Sequence, residues 1–325
     1  MTAADEDAAG PRAGVVVLGS LNLDLSVSVA RIASPGETVL GGPVVRSPGG
    51  KGANQAFAAA RLGGDVRLIG RLGRDEPAET IRAVLRAAGV GLTHVRVLDH
   101  VDSGVAFVTV AADGENAIVV SSGANAALTP AEVDSEEAAL VGARIAVAQL
   151  ETPLDAVGRF AELCRRHGVQ LILNAAPYRA VPAELLRRVD YLVLNRDEAA
   201  ALTGLPVRSR AEAAAALVEA ARRGPGAVVI TLGGDGCVAL TPAGRLEFDA
   251  CPVPVVDTTG AGDAFVGALA VSLARGTAVP DALAYAVAAG AAACARPGAQ
   301  VATTDQEVRD LLSHALLSTS SSTDG

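Results

Sequence analysis

Aromatic side chains are scarce in this 325-residue chain, which has no tryptophan, three tyrosines and five phenylalanines. A large aromatic core is therefore excluded. Valine, leucine, isoleucine and alanine must supply the core, and the 50% hydrophobic content is enough for one large α/β domain. The same shortage leaves few aromatic rings on which a ligand could stack.

Positive charge is the second shortage, because the formal net charge is −9 and no basic stripe is present. This argues against a nucleic-acid partner. No apolar run is long enough to span a membrane, so we expect no membrane partner. The four cysteines form no CxxC pair. That pattern is typical of a protein in the reduced cytosol rather than of a disulfide scaffold, and we expect a cytoplasmic location.

Both ends of the chain are polar. The first 13 residues are acidic and alanine-rich without a signal-peptide pattern, and the segment after Leu317 is rich in serine and threonine. We therefore expect one domain over residues 14–312, with disordered tails at residues 1–13 and 313–325.

Short β-branched runs alternate with helical stretches along the domain. The strand-like runs are Val15–Leu18, Val66–Ile69, Ile145–Ala148, Leu171–Leu173, Tyr191–Leu194 and Val228–Leu232. The helical stretches include Asn54–Leu62, Ala78–Ala88, Leu154–His167 and Ala211–Arg223. The alternation predicts an α/β sandwich of three layers, in which helices cover both faces of a parallel sheet. Ligands of such folds bind beyond the carboxyl ends of the strands.

Two segments, residues 37–47 and 103–122, interrupt this alternation with strand-like patterns. Asp113-Gly114 is a hairpin signal between Val105–Val110 and Asn116–Val120. We expect these segments to form a small antiparallel flap, or lid. An ordinary edge hairpin is the alternative.

The heptad Asp257-Thr258-Thr259-Gly260-Ala261-Gly262-Asp263 runs directly into the apolar stretch Ala264–Leu273. Its glycines allow a tight turn, and the free N–H groups of the following helix form an anion site. Beside that site, Asp263 could take a proton from an alcohol that attacks a phosphate. A bare GxGD is also compatible with an ordinary helix N-terminus capped by the aspartate.

A second glycine-rich turn, Gly49-Gly50-Lys51-Gly52-Ala53-Asn54-Gln55, precedes an alanine-rich helix. Lys51 is the only lysine among 27 basic residues, and it supplies a compact point charge. Asn22 and Asp24 follow the first strand and alternate onto one side of an extended segment. Together they offer vicinal hydroxyls both donors and acceptors, although such residues after a strand are usually turn formers.

With Gln149-Leu150-Glu151-Thr152-Pro153, these segments resemble the signatures of the ribokinase-like carbohydrate kinase family, from about Val15 to about Val308. The resemblance implies that family's fold and an ATP-dependent kinase that phosphorylates the O5 hydroxyl of D-ribose. It implies that Asp263 is the general base and that Gly260, Ala261 and Gly262 form the anion hole. The residues it places against the sugar are Asn22, Asp24, Gly50, Lys51, Asn54, Glu151 and Asp263.

The same resemblance implies nucleotide and cation sites. It places ATP beside Asn195, Thr231, Gly233, Gly236 and Gly262, and a water-mediated Mg²⁺ contact at Glu198. It implies a monovalent cation, K⁺, at Asp257, Thr259, Ala293, Arg296 and Gly298. The C-terminal loop departs from the family pattern at Pro297 and at Val301-Ala302, which removes a side-chain hydroxyl ligand and leaves the backbone ligands. Asn195 is followed by acidic residues and therefore also fits an ordinary helix N-cap.

Several alternatives remain open from the sequence. 2-Deoxyribose, fructose, tagatose phosphate or a nucleoside could replace ribose. However, a phosphosugar needs more than one basic side chain, and a nucleoside needs aromatic surface. A non-catalytic sugar- or nucleotide-binding regulator would leave Asp263 and the glycine-rich turn without a use. The resemblance also implies a homodimer through the lid, whose strand edges invite pairing.

Overall fold

The computed structural model describes residues 14–321, with side chains as far as residue 315. The expected tail at residues 1–13 lies outside this range. The strands are β1 (Gly14–Leu18), β2 (Asn22–Val29), β3 (Val45–Gly49), β4 (Asp65–Gly73), β5 (Val95–Leu98), β6 (Gly104–Ala111), β7 (Asn116–Ser121), β8 (Ile145–Ala148), β9 (Gln170–Asn174), β10 (Tyr191–Leu194), β11 (Ala227–Thr231), β12 (Cys237–Thr241) and β13 (Gly244–Phe248). The helices are α1 (Lys51–Arg61), α2 (Glu76–Ala87), α3 (Pro130–Ser135), α4 (Leu154–His167), α5 (Ala183–Leu186), α6 (Arg196–Thr203), α7 (Arg210–Ala221), α8 (Ala261–Ala274), α9 (Val279–Cys294) and α10 (Asp305–Ser321).

A nine-stranded sheet forms the centre of the domain, in the order β13-β12-β11-β10-β9-β8-β1-β4-β5. The pairings from β11 to β5 are parallel, and β12 and β13 extend the sheet as an antiparallel edge. Val15 and Val17 of β1 enter the hydrophobic core on one face, whereas Val16 and Leu18 enter the core on the other. The predicted three-layer sandwich and all six predicted strands are confirmed.

The lid is a second sheet of four strands, in the order β3-β2-β6-β7. The predicted hairpin of β6 and β7 is confirmed, with Gly114 at a positive φ of 88° in its turn. The lid also contains β2, which the sequence analysis left out, and β2 pairs in parallel with β6 and antiparallel with β3. Within residues 37–44 only Gly41 forms a bridge, because Pro43 and the two adjacent glycines interrupt regular pairing.

The last helix, α10, continues past residue 312, where the sequence analysis placed the start of a disordered tail. Val308, Leu311, Leu312 and Ala315 recur at helical spacing and pack against the core, which explains why the helix extends into this segment. Residues 322–325 lie outside the described range. None of the helices that the structure describes is both long and apolar enough to cross a bilayer.

The close crossing of α1 and α8 sets the geometry of the carboxyl edge of the sheet. A Cβ atom at Gly267, in the middle of α8, would lie 2.8 Å from the Cβ atom of Ala58. It would also lie 2.9 Å from the backbone nitrogen of Ala59 and 2.9 Å from the carbonyl oxygen of Gln55. A glycine is therefore required for the two backbones to approach this closely, and the approach brings the first turn of α8 beside the first turn of α1.

Two glycine-to-alanine substitutions in helix interiors should have opposite effects on stability. Gly267→Ala should lower the free energy of unfolding by roughly 1–3 kcal/mol, because the added methyl group overpacks the helix crossing. Gly158→Ala in α4 should raise it by up to about 1 kcal/mol, because alanine favours the helix and the new Cβ meets open space. Urea unfolding followed by circular dichroism measures both. A Gly267→Ala variant as stable as the Gly158→Ala control would contradict the close crossing.

Candidate active site

The polar residues singled out in the sequence gather at the carboxyl edge of the central sheet, where the first turns of α1, α6 and α8 also lie. Asp263, in the first turn of α8, is 8% exposed. Its Oδ2 atom accepts a hydrogen bond from Nδ2 of Asn54 at 2.9 Å, and its Oδ1 atom accepts one from Nε2 of Gln55 at 2.8 Å. Two consecutive residues of α1 thus hold the two oxygens of one carboxylate.

Four further amide or backbone contacts surround this pair. Gln149 donates from Nε2 to Oε1 of Gln55 at 2.6 Å, and Gln300 donates from Nε2 to Oδ1 of Asn54 at 3.1 Å. The Nε2 atom of Gln55 also donates to Oδ1 of Asn174 at 3.0 Å, and Nδ2 of Asn174 donates to the carbonyl oxygen of Val193 at 3.4 Å. The sequence analysis did not single out Gln55, Gln149, Asn174 or Gln300 as site residues. Their placement at strand ends and in the motif segments was the only available signal.

At the N-terminus of α8 the sequence predicts an anion hole made by the N–H groups of Gly260, Ala261 and Gly262. Gly260 caps the helix with a φ of 77°, and the turn directs the N–H of Ala261 to the carbonyl oxygen of Thr258 at 3.2 Å. The Ala261 N–H is therefore occupied. The N–H groups of Gly262 and Asp263 have no acceptor within residues 14–321, and a Cβ atom at Gly262 would meet open space. These two groups lie at the positive end of the helix dipole, where negative charge is stabilised.

Lys51 begins α1 among four carboxylates. Burial lowers the pKa of its ammonium group, but the charges of Asp263, Glu151, Glu198 and Asp24 outweigh burial, and the pKa is raised. Burial, followed by the charges of Glu151 and Asp263, raises the pKa of Asp24 from its ordinary value of 3.8 to about 7 against the opposing charge of Lys51. The structure thus brings together the charged residues that the sequence analysis placed in two separate sites, the sugar site and the Mg²⁺ site.

The remaining residues expected at the sugar site lie around Lys51. Glu151 accepts hydrogen bonds from the main-chain N–H of Lys51 at 3.1 Å and from the Ser20 hydroxyl through the same oxygen, Oε2. Gly50 has a φ of 86°, and a Cβ atom there would lie 2.8 Å from the backbone nitrogen of Asn22. The glycine-rich turn therefore packs directly against the start of β2.

Asn125 is a buried residue that the sequence analysis did not place in the site. Its Oδ1 atom accepts from the N–H of Leu21 at 2.9 Å, and its Nδ2 atom donates to the carbonyl oxygen of Leu21 at 3.1 Å. The same Nδ2 atom donates to Oδ1 of Asn22 at 2.8 Å. Asn125 therefore fixes the orientation of the Asn22 amide at the point where β1 leads into β2.

Asn195 and Glu198 form a reciprocal capping box at the start of α6, with both hydrogen bonds at 2.8 Å. The N-cap alternative is therefore confirmed. Burial is the main cause of the raised pKa of Glu198; the Asn195 N–H and Lys51 oppose it, and Asp197 and Asp263 add to it. The cap thus also holds a buried carboxylate close to Lys51 and Asp263.

The carboxyl end of β11 and the turn after it contain the other residues that the sequence analysis placed beside ATP. Thr231 donates from Oγ1 to the carbonyl oxygen of Leu194 at 3.3 Å. Gly233, at a φ of 59°, leaves open space where a Cβ atom would lie, whereas a Cβ atom at Gly236 would lie 2.0 Å from the carbonyl oxygen of Phe248. Gly233 is therefore open to a ligand, and Gly236 is required for packing against β13.

Asp257 joins the two loops that the sequence analysis placed around a monovalent cation. Its Oδ1 atom accepts from the N–H of Thr259 at 2.9 Å, and its Oδ2 atom accepts from the N–H of Gly298 at 2.8 Å. Burial raises the pKa of Asp257, but hydrogen bonds from the Thr259 side chain and from these two N–H groups outweigh burial and lower the pKa. Ala293, at the end of α9, accepts from the N–H of Arg296 at 3.3 Å, and the Arg296 side chain pairs with Glu307. In the described part of the chain no three His, Cys, Asp or Glu side chains form a metal cluster.

Comparison with known proteins gives a consistent result. The family described as "pfkB family carbohydrate kinase" matches residues 12–306. A bifunctional ribokinase/ribose-5-phosphate isomerase A from Fructilactobacillus sanfranciscensis is 41% identical over 80% of this chain, and the chain spans 48% of that longer protein. A ribokinase from Haemophilus influenzae is 37% identical, with 94% of this chain and 100% of that protein covered.

The solved structures agree with the sequence relatives. The structure of Arabidopsis thaliana ribokinase complexed with ribose and ATP is 31% identical and superposes with a TM-score of 0.86, covering 93% of this chain and 99% of that one. The family match extends over nearly the whole described domain, and the similar structure shares its fold throughout. This chain belongs to the pfkB family of carbohydrate kinases.

Proposed function

We propose that this kinase transfers the γ-phosphoryl group of ATP to O5 of D-ribose, giving ribose 5-phosphate and ADP. The observation that carries the proposal is the position of the Asp263 carboxylate. It lies between the open N–H groups at the start of α8 and the cluster of Asp24, Lys51, Glu151 and Asn54. The names of the Haemophilus and Arabidopsis proteins, and the ribose and ATP in the Arabidopsis structure, support this substrate pair.

Asp263 is the proposed general base. Its two oxygens accept one amide hydrogen bond each, so further lone pairs remain for a substrate hydroxyl. In the proposed step the O5–phosphorus bond forms, the bond from the γ-phosphorus to the bridging oxygen breaks, and the hydroxyl proton passes to Asp263. The N–H groups of Gly262 and Asp263, with Gly260 shaping the turn, stabilise the charge on the transferred group. The sequence expectation assigned this role to the N–H groups of Gly260, Ala261 and Gly262.

The sugar site favours a neutral substrate. Asn22, Asp24, Lys51, Asn54 and Glu151 offer amide, carboxylate and ammonium groups to hydroxyls. One lysine faces four carboxylates, and an added phosphate on the sugar would meet an excess of like charge. These features support an unphosphorylated sugar such as ribose. 2-Deoxyribose, fructose and adenosine are the competing substrates that an assay must include.

The nucleotide is proposed to lie beside Asn195, Thr231 and Gly233, with Gly236 shaping the turn. Mg²⁺ accompanies ATP in phosphoryl transfer and neutralises charge on the phosphates. One oxygen of Glu198 accepts the N–H of Asn195, and the other has no protein partner among the described residues, which fits a contact to a metal-bound water.

A monovalent cation, K⁺, is proposed between the loops that Asp257 joins. The supporting donors are one carboxylate and main-chain carbonyl groups at the C-terminal end of α9, the negative end of its dipole. Asp257, Thr259, Ala293, Arg296 and Gly298 would border the ion. Hard oxygen donors of this kind suit such an ion.

A homodimer through the lid is proposed from its exposed apolar surface. Every residue of β7 is exposed, and Leu40, Phe107 and Val119 expose 91%, 52% and 69% of their surface. An edge strand with apolar side chains favours pairing with a second copy. We also propose a cytoplasmic location, since ATP is the phosphoryl donor and all four cysteines are free thiols.

Replacing the proposed base should abolish most turnover without abolishing sugar binding. Asp263→Asn should lower kcat by about 10²- to 10⁴-fold, the usual cost of losing a positioned base. ADP release measured with ribose, 2-deoxyribose, fructose and adenosine, with and without K⁺, gives the rate and the substrate preference. Calorimetry with ribose gives binding. The exposed Asp281→Asn variant is the matched control, and near-normal turnover by Asp263→Asn would refute the proposed role.

Replacing Asp24 should alter the pH dependence of stability. Because the pKa of Asp24 is higher in the folded state, its stabilising contribution is complete below about pH 4 and is lost as the pH rises through about 7. Asp24→Asn removes this loss and should be more stable than the unaltered protein at pH 8 by roughly 1–3 kcal/mol. The difference should vanish near pH 4. Urea unfolding from pH 4 to pH 8 tests this. The same dependence of the free energy of unfolding on pH in both proteins would contradict it.

A further inference from the structure

The amide side chains around Asp263 form a hydrogen-bonded chain with one direction on each side. On one side Gln300 donates to Asn54, and Asn54 donates to Asp263. On the other side Gln149 donates to Gln55, and Gln55 donates to Asp263. Each of these four amides therefore points an N–H group toward the carboxylate, which accepts from both sides, and Gln55 also donates to Asn174.

The outer ends of this chain are also alike. Oε1 of Gln149 and Oε1 of Gln300 are buried and have no hydrogen-bond partner within residues 14–321. Leaving a buried acceptor unpaired destabilises a fold. Turning either amide over would place its oxygen against the oxygen of the next amide, so the two orphan oxygens follow from the inward direction of the chain.

We propose that Gln55, Gln149 and Gln300 are positioning residues that hold the Asp263 carboxylate in its orientation and fix its neighbours as donors. The proposal rests on the proposed role of Asp263 as the base. Hydrogen bonds in such a chain polarise one another in the low-dielectric interior, so the outer amides strengthen the bonds that the inner amides make. The outer residues thereby act on the carboxylate without touching it.

The hydrogen-bonded chain of amides also determines which hydrogen-bonding groups Asn54 presents to a sugar. Its Oδ1 atom accepts from Gln300, and one of its two amide protons is used by Asp263. One N–H group and the second lone pair of Oδ1 remain for a sugar hydroxyl. Gln300 therefore fixes which edge of this proposed sugar ligand carries the N–H group and which carries the oxygen.

The same residue connects the base to the C-terminal loop. Gln300 lies two positions after Gly298, whose N–H donates to Asp257. A displacement of this loop moves the donor that holds Asn54. The position of the loop is thus transmitted to Asp263 through three hydrogen bonds: Gly298 to Asp257, Gln300 to Asn54, and Asn54 to Asp263.

Two nearly isosteric substitutions at Gln149 separate the effect of hydrogen-bond direction from the effect of side-chain packing. An ionised glutamate cannot donate to Gln55, and it should turn the Gln55 amide over so that its oxygen faces Asp263 and Oδ1 of Asn174, the two acceptors of its N–H groups. At pH 8 Gln149→Glu should therefore lower kcat by about tenfold to a hundredfold. Near pH 6 the buried glutamate takes up a proton and donates again, so the loss relative to the unaltered enzyme should shrink. Gln149→Met should show a loss that does not change with pH.

Gln306→Glu introduces the same charge at an exposed position and should leave the ratio to the unaltered enzyme near one. Gln300→Met should lower kcat and raise KM for the sugar together, because it releases Asn54. A loss for Gln149→Glu that is the same at both pH values, or no loss at all, would overturn the proposal.

A second measurement does not depend on turnover. The whole protein has five glutamines, so a sample labelled with ¹⁵N in glutamine gives five pairs of side-chain amide signals in an NMR spectrum. Asp263→Asn should shift the signals of Gln55, Gln149 and Gln300 and leave those of Gln170 and Gln306 in place. A shift confined to Gln55 would overturn the proposal. If the unaltered protein phosphorylates no sugar, the proposed function fails, and this spectrum still decides whether the amide chain exists.

Discussion

The close contact between α1 and α8 is the constraint on which the proposed chemistry depends. Gly267 lets the two helices approach until the first turn of one lies beside the first turn of the other. The approach places Asn54 and Gln55 at hydrogen-bonding distance from Asp263, which is more than 200 residues away in sequence. A shift of about 1 Å at this crossing would break contacts that tolerate only a few tenths of an ångström. The packing of a glycine against a backbone thus sets the position of a carboxylate.

The sequence predicted the buried parts of the fold well and the half-exposed parts poorly. The strand at Val15–Leu18 and the helix at Leu154–His167 were predicted almost to the residue, because a strand buried on both faces is continuously apolar and a covering helix has a clear apolar stripe. The edge strands β12 and β13 were missed because their patterns are short and partly exposed. The place of β2 in the lid was missed because its pairing with β6 joins residues about 80 positions apart.

The charged residues of the candidate site were found from the sequence, whereas its neutral amides were not. Asp263 and Lys51 stand out because a lone charge in a glycine-rich turn has few ordinary explanations. A glutamine such as Gln149 or Gln300 has many ordinary explanations in a sequence. The roles of these two depend on partners that only the folded chain supplies. The engaged N–H of Ala261 could not be predicted either, because it depends on the particular turn that Gly260 makes.

The solitary lysine gives the molecule an unusual chemical simplicity. Apart from the amino terminus, Lys51 carries the only primary amine of the chain, and it lies at the start of α1 among four carboxylates. Acylating reagents, aldehydes and enzymes that modify lysine therefore have a single side-chain target, which is half-buried in the candidate sugar site. For most proteins such reagents label the surface at random, but for this one they would report the accessibility of one pocket.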